Sequence, residues 1–275
     1  MNPPIFVDIP FKSSTYKISV INFADMATSD ATQELLSFEA LRNSQIVRLT
    51  PDAKRIFWSL NGPLSTSVWV LEDASDPDSA REAYFRQTIG GTTWHPVSQS
   101  QLTQPGVSSI TVRVSDLENR EDNWFDVHDS HADPNDENCV FGELIDFDPD
   151  EDEDGPEHVL KCCGSERPRK KAAYLVVKAT SECITIHDYV SAVHPWLMGL
   201  REDILGALGV WDSKPRPPET KLMVNFDGPG YLMIQEEKSW LAARRRTRDI
   251  LLARPEGGNF LALGSSGLGD FTLGP

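Results

Sequence analysis

Between Asp116 and Glu157 the chain carries 18 acidic residues and a single base, Arg120. The other 233 of its 275 residues hold 24 acids and 25 bases. A stretch of net charge −17 is expected to stay solvated, because a buried carboxylate without a partner loses far more hydration than packing returns. The near-neutral stretches on either side are therefore expected to supply the body of the fold. The overall net charge of −16 says little about that body, since fields between exposed charges are screened within about 8–10 Å at physiological salt.

Those flanking stretches can fill a core. Hydrophobic residues make up 39% of the chain, with 7 Trp and 12 Phe, which excludes a wholly disordered protein. No run of about 18 apolar residues occurs, so no membrane-spanning helix is expected. The opening MNPPIFVDIPFKSS lacks the basic start of a secretory signal. Four cysteines with no CxxC pair are no disulfide framework and suit free thiols in a reducing compartment.

Alternating or continuous apolar runs predict strands over 16–23, 46–49, 56–60, 68–71, 107–114, 172–178, 222–226 and 231–234. Helices are predicted over 31–43, capped by Asp30, and over 77–88, opened by Asp76-Pro77 and stopped by Gly90-Gly91. Residues 91–106 read as a loop. The strongest helical pattern is 186–208, where Tyr189, Val193, Trp196, Leu197, Leu200, Ile204 and Leu208 share a face. Thr185 and Asp188 supply a capping box, Gly209 a C-terminal stop, and Pro195 a kink or a restart of the helix. A last helix covers 236–252. The tail 257–275 holds six glycines and no periodicity, and is expected to be disordered.

Several side-chain groupings could carry chemistry. Asp146, Asp148, Asp150, Asp152 and Asp154 alternate before Gly155. Asp150, Asp152, Asp154 and Gly155 fit the start of an EF-hand loop, but Lys161 stands where the bidentate Glu belongs, so a solvated charge run is the expectation. His128, His131 and Asp133 are spaced HxxHxD, and His158, Cys139, Cys162 and Cys163 lie within reach along the chain. Zinc sites favour tight paired spacings; no CxxC or HxxxH is present, so these read as loop polar groups and small thiols, with no metal and no cofactor expected. Cys183, His187, Asp188 and His194 are the candidate nucleophile and base set, against the plainer reading of strand-end and helix-flank residues. Arg244, Arg245, Arg246 and Arg248 form a basic cluster that suits a helix C-terminus. No P-loop or GxSxG elbow occurs.

The stretch ITIHDYVSAVHPWLMGLREDILGALG at 184–209, with Lys221-Leu222-Met223-Val224 and the segment 236–240, resembles uncharacterised proteins of filamentous fungi over the last third of the chain. The resemblance implies a eukaryotic, intracellular protein and transfers no functional residue.

These readings predict an α+β fold with mixed or antiparallel sheets, about four helices, an acidic disordered mid-chain segment and a Gly-rich disordered C-terminal tail. The expected layout is an N-terminal α+β part (1–127), an acidic then basic linker or insertion (128–170), a C-terminal α+β part (171–254) and a flexible tail (255–275). The two α+β parts can share one domain. The expected function is a non-enzymatic interaction module of the cytoplasm or nucleus, whose acidic arm at Asp146–Asp154 engages a basic protein, with Arg244–Arg246 as a second binding surface. The alternative is an enzyme with its site between the two parts. A third reading is a nucleic-acid accessory factor acting through Arg244–Arg248; the neighbouring acids oppose it by competing for the same bases. No small-molecule ligand is indicated.

Overall fold

The computed structural model describes residues 35–145, 157–169 and 173–253. The described chain runs α1 (Phe38–Arg42), β1 (Arg48–Leu49), α2 (Pro51–Lys54), β2 (Ile56–Trp58), α3 (Leu64–Ser67), β3 (Val68–Leu71) and β4 (Arg81–Ala83). Next come β5 (Phe85–Thr88), β6 (Gly91–Trp94), β7 (Thr103–Gln104), β8 (Ser109–Val114), α4 (Ser115–Glu118) and α5 (Arg120–His128). Then follow β9 (Val140–Gly142), β10 (His158–Cys162), β11 (Ser165–Glu166), β12 (Tyr174–Lys178), α6 (Ile186–Gly199) and α7 (Arg201–Leu208). Strands β13 (Leu222–Asn225) and β14 (Tyr231–Glu236) and helix α8 (Glu237–Leu252) complete it. The fold is α+β, with mixed and antiparallel sheets; α5, α6, α7 and α8 are its longer helices.

The central sheet has the order β12-β8-β14-β13. β12 runs antiparallel to β8, β14 parallel to β8 and antiparallel to β13. A Ser59–Met223 bridge and a 2.9 Å bond from Leu60 N–H to the Leu222 carbonyl set the β2-β3-β4 sheet beside β13. Period-two alternation decides the faces. Ile110, Val112 and Val114 of β8 and Leu232 and Ile234 of β14 are buried with Tyr189, Val193, Leu197 and Ile204 from α6 and α7. Trp58 and Val70 join the same cluster, so residues from both sides of the acidic stretch meet in one core. Phe57 points the other way, against Trp240 of α8 and Met223.

The strands predicted at 56–60, 68–71, 107–114, 172–178, 222–226 and 231–234 all contain observed strands, and α8 matches 236–252. Other expectations need correction. Residues 77–88 form β4 and β5, not a helix. Asp76 accepts the amide of Asp78 at 3.0 Å and so makes a turn instead of a cap, and pairing with β3 then outweighs local helix preference. The expected loop 91–106 contributes β6, which pairs with β5 through Thr92 and Thr93. The first helix is capped by Ser37, whose hydroxyl accepts the Ala40 amide; residues 31–34, like the strand predicted at 16–23, lie outside the described residues.

The pattern at 186–208 is two helices. The capping box at Thr185 and Asp188 is present, and Pro195 lies inside α6, but the break falls at Gly199-Leu200, where glycine weakens the helix. Gly209 has an ordinary φ of −90°; a Cβ there would lie 2.0 Å from the Lys214 carbonyl oxygen, so close backbone approach is what requires glycine.

Strands β8 and β12 are adjacent antiparallel neighbours, yet everything from α4 to β11 lies between them in sequence. Within the predicted linker or insertion, the described residues hold a three-stranded sheet in the order β11-β10-β9. Cys139, Cys162, Cys163 and Cys183 are free thiols. Among the described residues no helix is long and apolar enough to cross a membrane.

Candidate metal centre

The residues singled out as a nucleophile and base set are placed for structural work. His194 is 2% exposed. Its Nδ1 accepts the Trp58 indole N–H at 2.9 Å, so its Nε2 carries the proton and donates to the Gly62 carbonyl at 2.9 Å. Burial holds this ring below the usual histidine range. Asp188 closes the capping box and accepts the Thr180 hydroxyl at 2.7 Å. Burial pulls its carboxyl up, but these hydrogen bonds outweigh it and leave the group more acidic than usual. His187 stacks on Trp94, with ring centroids 4.5 Å apart. Burial, then the charges of Glu182 and Asp188, pushes the Cys183 thiol up, the opposite of nucleophile activation. Among the described residues no hydrogen bond joins Cys183 to either histidine.

The basic cluster is largely neutralised within the chain. Arg245 makes a bidentate pair with Asp78 at 2.7 and 2.8 Å, and Arg248 meets Asp76 at 2.7 Å. Arg244 lies over the Trp240 ring and 3.6 Å from Asp227, while Arg246 is exposed. Asp146, Asp148, Asp150, Asp152 and Asp154 lie outside the described residues.

The fold instead brings together groups that look scattered in sequence. His128, His131, Cys162 and Cys163 present one donor atom each, all within 4.8 Å of one another. Two short devices build this. Helix α5 ends at His128 and continues as a 3-10 turn over Asp129–His131, so spacing of three sets both imidazoles on one side. Trp124, one turn earlier, packs its ring 4.5 Å from that of His128 and donates its indole N–H to Ser165 Oγ at 2.9 Å. This bond ties α5 to the hairpin that supplies the sulfurs.

That hairpin joins β10 to β11, with Cys162 paired to Ser165. The two turn residues both have positive φ, 52° at Cys163 and 78° at Gly164. Such a two-residue turn favours Asn-Gly; a cysteine held in the left-handed region is uncommon. A bulge in β10 does the rest. Val159 pairs with Phe141 but Lys161 with Val140, so one extra residue enters the strand. Residues three apart would otherwise face opposite ways. With the bulge, Val159 and Cys162 both turn inward onto Trp124 and Val210. Asp133 is absorbed in a local turn, accepting the Asn135 amide at 2.8 Å.

The distances suit a tetrahedral soft-metal site. Zinc–sulfur bonds of about 2.3 Å and zinc–nitrogen bonds of about 2.0–2.1 Å give sulfur–sulfur edges of roughly 3.8 Å and sulfur–nitrogen edges of roughly 3.6 Å. Cys162 Sγ and Cys163 Sγ are 3.8 Å apart, and Cys163 Sγ is 3.2 Å from His131 Nε2. His128 is 2% exposed, and neither ring nitrogen has a hydrogen-bond partner. A buried imidazole with two unused polar atoms is costly unless something binds it. Burial, then the neighbouring His131, lowers its pKa, a shift toward the neutral, ligating form. The Cys162 thiol is raised by burial and by its Cys139 and Cys163 neighbours, so a thiolate there needs a cation beside it. Two imidazoles and two thiolates fill a tetrahedron and leave no position for water, the arrangement of structural rather than catalytic zinc.

Compared with protein families, curated proteins and solved structures, the chain matches none. The assignment therefore rests on the donor set itself. The sequence reads these four residues as loop polar groups and small thiols; the structure brings their donor atoms together through an HxxH at a helix end facing a Cys-Cys hairpin turn.

Proposed function

We propose that this chain is a zinc-binding, non-enzymatic protein whose metal holds together the excursion between β8 and β12. The observation that carries this reading is the buried His128, with both nitrogens unpartnered, facing His131, Cys162 and Cys163 within 4.8 Å. Its surroundings also ask for a staple. Among the described residues the local cluster has Trp124, Val159, Cys162 and Val210 as its buried apolar members, and a core that small does little to order an insertion by itself. The protein purified without chelator should carry one zinc per chain by elemental analysis and native mass spectrometry. Cys162→Ser and His128→Ala should each lose it, Cys183→Ser should keep it, and loading should fall in acid as protons compete for imidazole and thiolate. A wild-type chain that neither carries zinc nor takes it up against a competing chelator would refute the proposal.

A second reading concerns the acidic segment, and one observation favours an external partner for it. Arg244, Arg245 and Arg248, the bases nearest in type to a counter-surface, are occupied by Asp227, Asp78 and Asp76. A basic protein is then the proposed counterpart of Asp146–Asp154. Replacing Asp146, Asp148, Asp150, Asp152 and Asp154 by Asn should abolish low-salt binding of the chain to a lysine-rich protein such as a histone, by tenfold or more in Kd, and leave zinc content unchanged. Equal binding by both forms would remove this role.

A further inference from the structure

A third sulfur stands behind the metal centre. Cys139 Sγ lies 3.5 Å from Cys162 Sγ, close to van der Waals contact. The backbone explains the approach. Lys161 pairs with Val140 across the antiparallel β10 and β9 strands, and the same register carried one residue further sets Cys139 opposite Cys162. Directly opposed residues in an antiparallel pair have Cα atoms about 4.5–5.5 Å apart, inside the roughly 4.4–6.8 Å range that a disulfide spans. Exposure divides the work. Cys162 is fully buried and Cys139 is partly exposed, so an oxidant meets Cys139 first. Cys163 is exposed but adjacent in sequence to Cys162, and a bond between neighbours would close a strained ring.

We infer that Cys139 and Cys162 form a hydroperoxide-responsive pair whose disulfide withdraws one sulfur from the centre and releases its zinc. The release rests on the zinc reading above; the bond itself does not. In the first step the Cys139 thiol takes an oxygen from hydrogen peroxide, giving the sulfenic acid and one water. In the second, the Cys162 thiolate attacks the Cys139 sulfur, the S–O bond breaks, and the departing hydroxide takes a proton to leave as water. Two cysteine sulfurs are oxidised by two electrons in total, and one peroxide is reduced to two waters. His128, His131 and Cys163 then remain, one ligand short of a closed tetrahedron.

The test exposes the zinc-loaded full chain to hydrogen peroxide with a chromogenic zinc chelator present, followed by peptide mapping without reduction. The wild type should show a linked pair of peptides carrying Cys139 and Cys162. Zinc should appear in proportion to that link, and both should revert after a dithiol reductant and added zinc. Cys139→Ser should release zinc at least tenfold more slowly at the same peroxide dose, while Cys183→Ser should behave as wild type. Wild-type release from Cys139→Ser would overturn the proposal, as would over-oxidised Cys163 with no link to Cys162. Mapping a reduced, metal-free sample separates the two readings. A chain that takes up no zinc yet forms the bond overturns the zinc assignment and the release, and leaves the thiol pair standing; a chain that holds zinc and forms no bond overturns the pair alone.

Discussion

Stripping zinc from the folded chain with excess chelator is expected to raise amide hydrogen exchange about a thousandfold across α5 and β9–β11. The reasoning starts from mass action. A ligand held a thousandfold above its Kd adds about 4 kcal/mol to the state that binds it, and that amount returns as a thousandfold change in the opening equilibrium that exchange reads. The effect should be local. The ligands come from the end of α5 and from the β10–β11 turn, both inside the excursion, whose own buried cluster is small. The ladder between β8 and β12 at the base of that excursion has five paired positions in continuous register, from Tyr174–Arg113 to Lys178–Ser109. It is backed by Ile110, Val112 and Val177 in the main core. Its protection should therefore hold while that of Trp124, Val159 and Cys162 collapses. His128→Ala should reproduce the chelated pattern without chelator. Unchanged protection of α5 after complete metal removal would show that hydrophobic contacts alone order the excursion, and the structural role assigned to the metal would fall.

The parts of this fold that could be read in sequence are those where one residue period meets one buried face. Of the predicted stripe, Tyr189, Val193, Leu197 and Ile204 are fully buried, and Trp196, Leu200 and Leu208 are partly buried against the same core. Ile110, Val112 and Val114 alternate inward along β8 in the same way. Asp76-Pro77 misled because the same aspartate can cap a helix or close a turn, and the choice was made by Val70 and Trp69 offering a strand edge to Glu82 and Ala83. The candidate metal centre was half legible. His128 and His131 are three apart and Cys162-Cys163 stand side by side, but Cys162 lies 31 positions after His131. What joins them is a one-residue bulge in β10 and a left-handed cysteine in a two-residue turn. Neither leaves a periodic trace, because each depends on how short strands pair. Cys139 was legible still less, since its closeness to Cys162 is a property of register. The partners of His194 in α6 were hidden for a related reason. His194 spends both ring nitrogens on Trp58 and Gly62, partners more than 130 positions away that no local pattern names.

That His194–Trp58 contact carries the other large expected effect. Trp58→Ala should destabilise the protein by about 3–5 kcal/mol, the usual range for emptying a buried aromatic site. Trp58 is fully buried on β2 and meets Tyr189 of α6 edge-on at 6.1 Å, Phe226 at 5.6 Å and the His194 ring at 6.3 Å. Its removal therefore opens the point where β2, α6 and the end of β13 converge. Trp58→Phe separates packing from polarity. It keeps most of the ring and deletes the N–H, leaving His194 Nδ1 buried without a donor, which costs about 1–3 kcal/mol. The two variants also differ from wild type in acid. Burial depresses the folded-state pKa of His194, so below about pH 6.5, the unperturbed value, the unfolded chain binds the proton and the folded chain resists it. By linkage stability then falls as pH drops through that region and levels off once pH passes below the folded-state value. His95 and His128 are also depressed by burial and give a slope of the same sign, so the informative quantity is the difference between variants. Without the indole donor, His194 Nδ1 is free to take a proton, and the fall between pH 7 and pH 5 should be shallower in Trp58→Phe than in wild type. Denaturant midpoints at those two pH values measure it. Equal slopes would mean that the indole N–H does not hold His194 neutral, and that the loss in Trp58→Phe is one of packing alone.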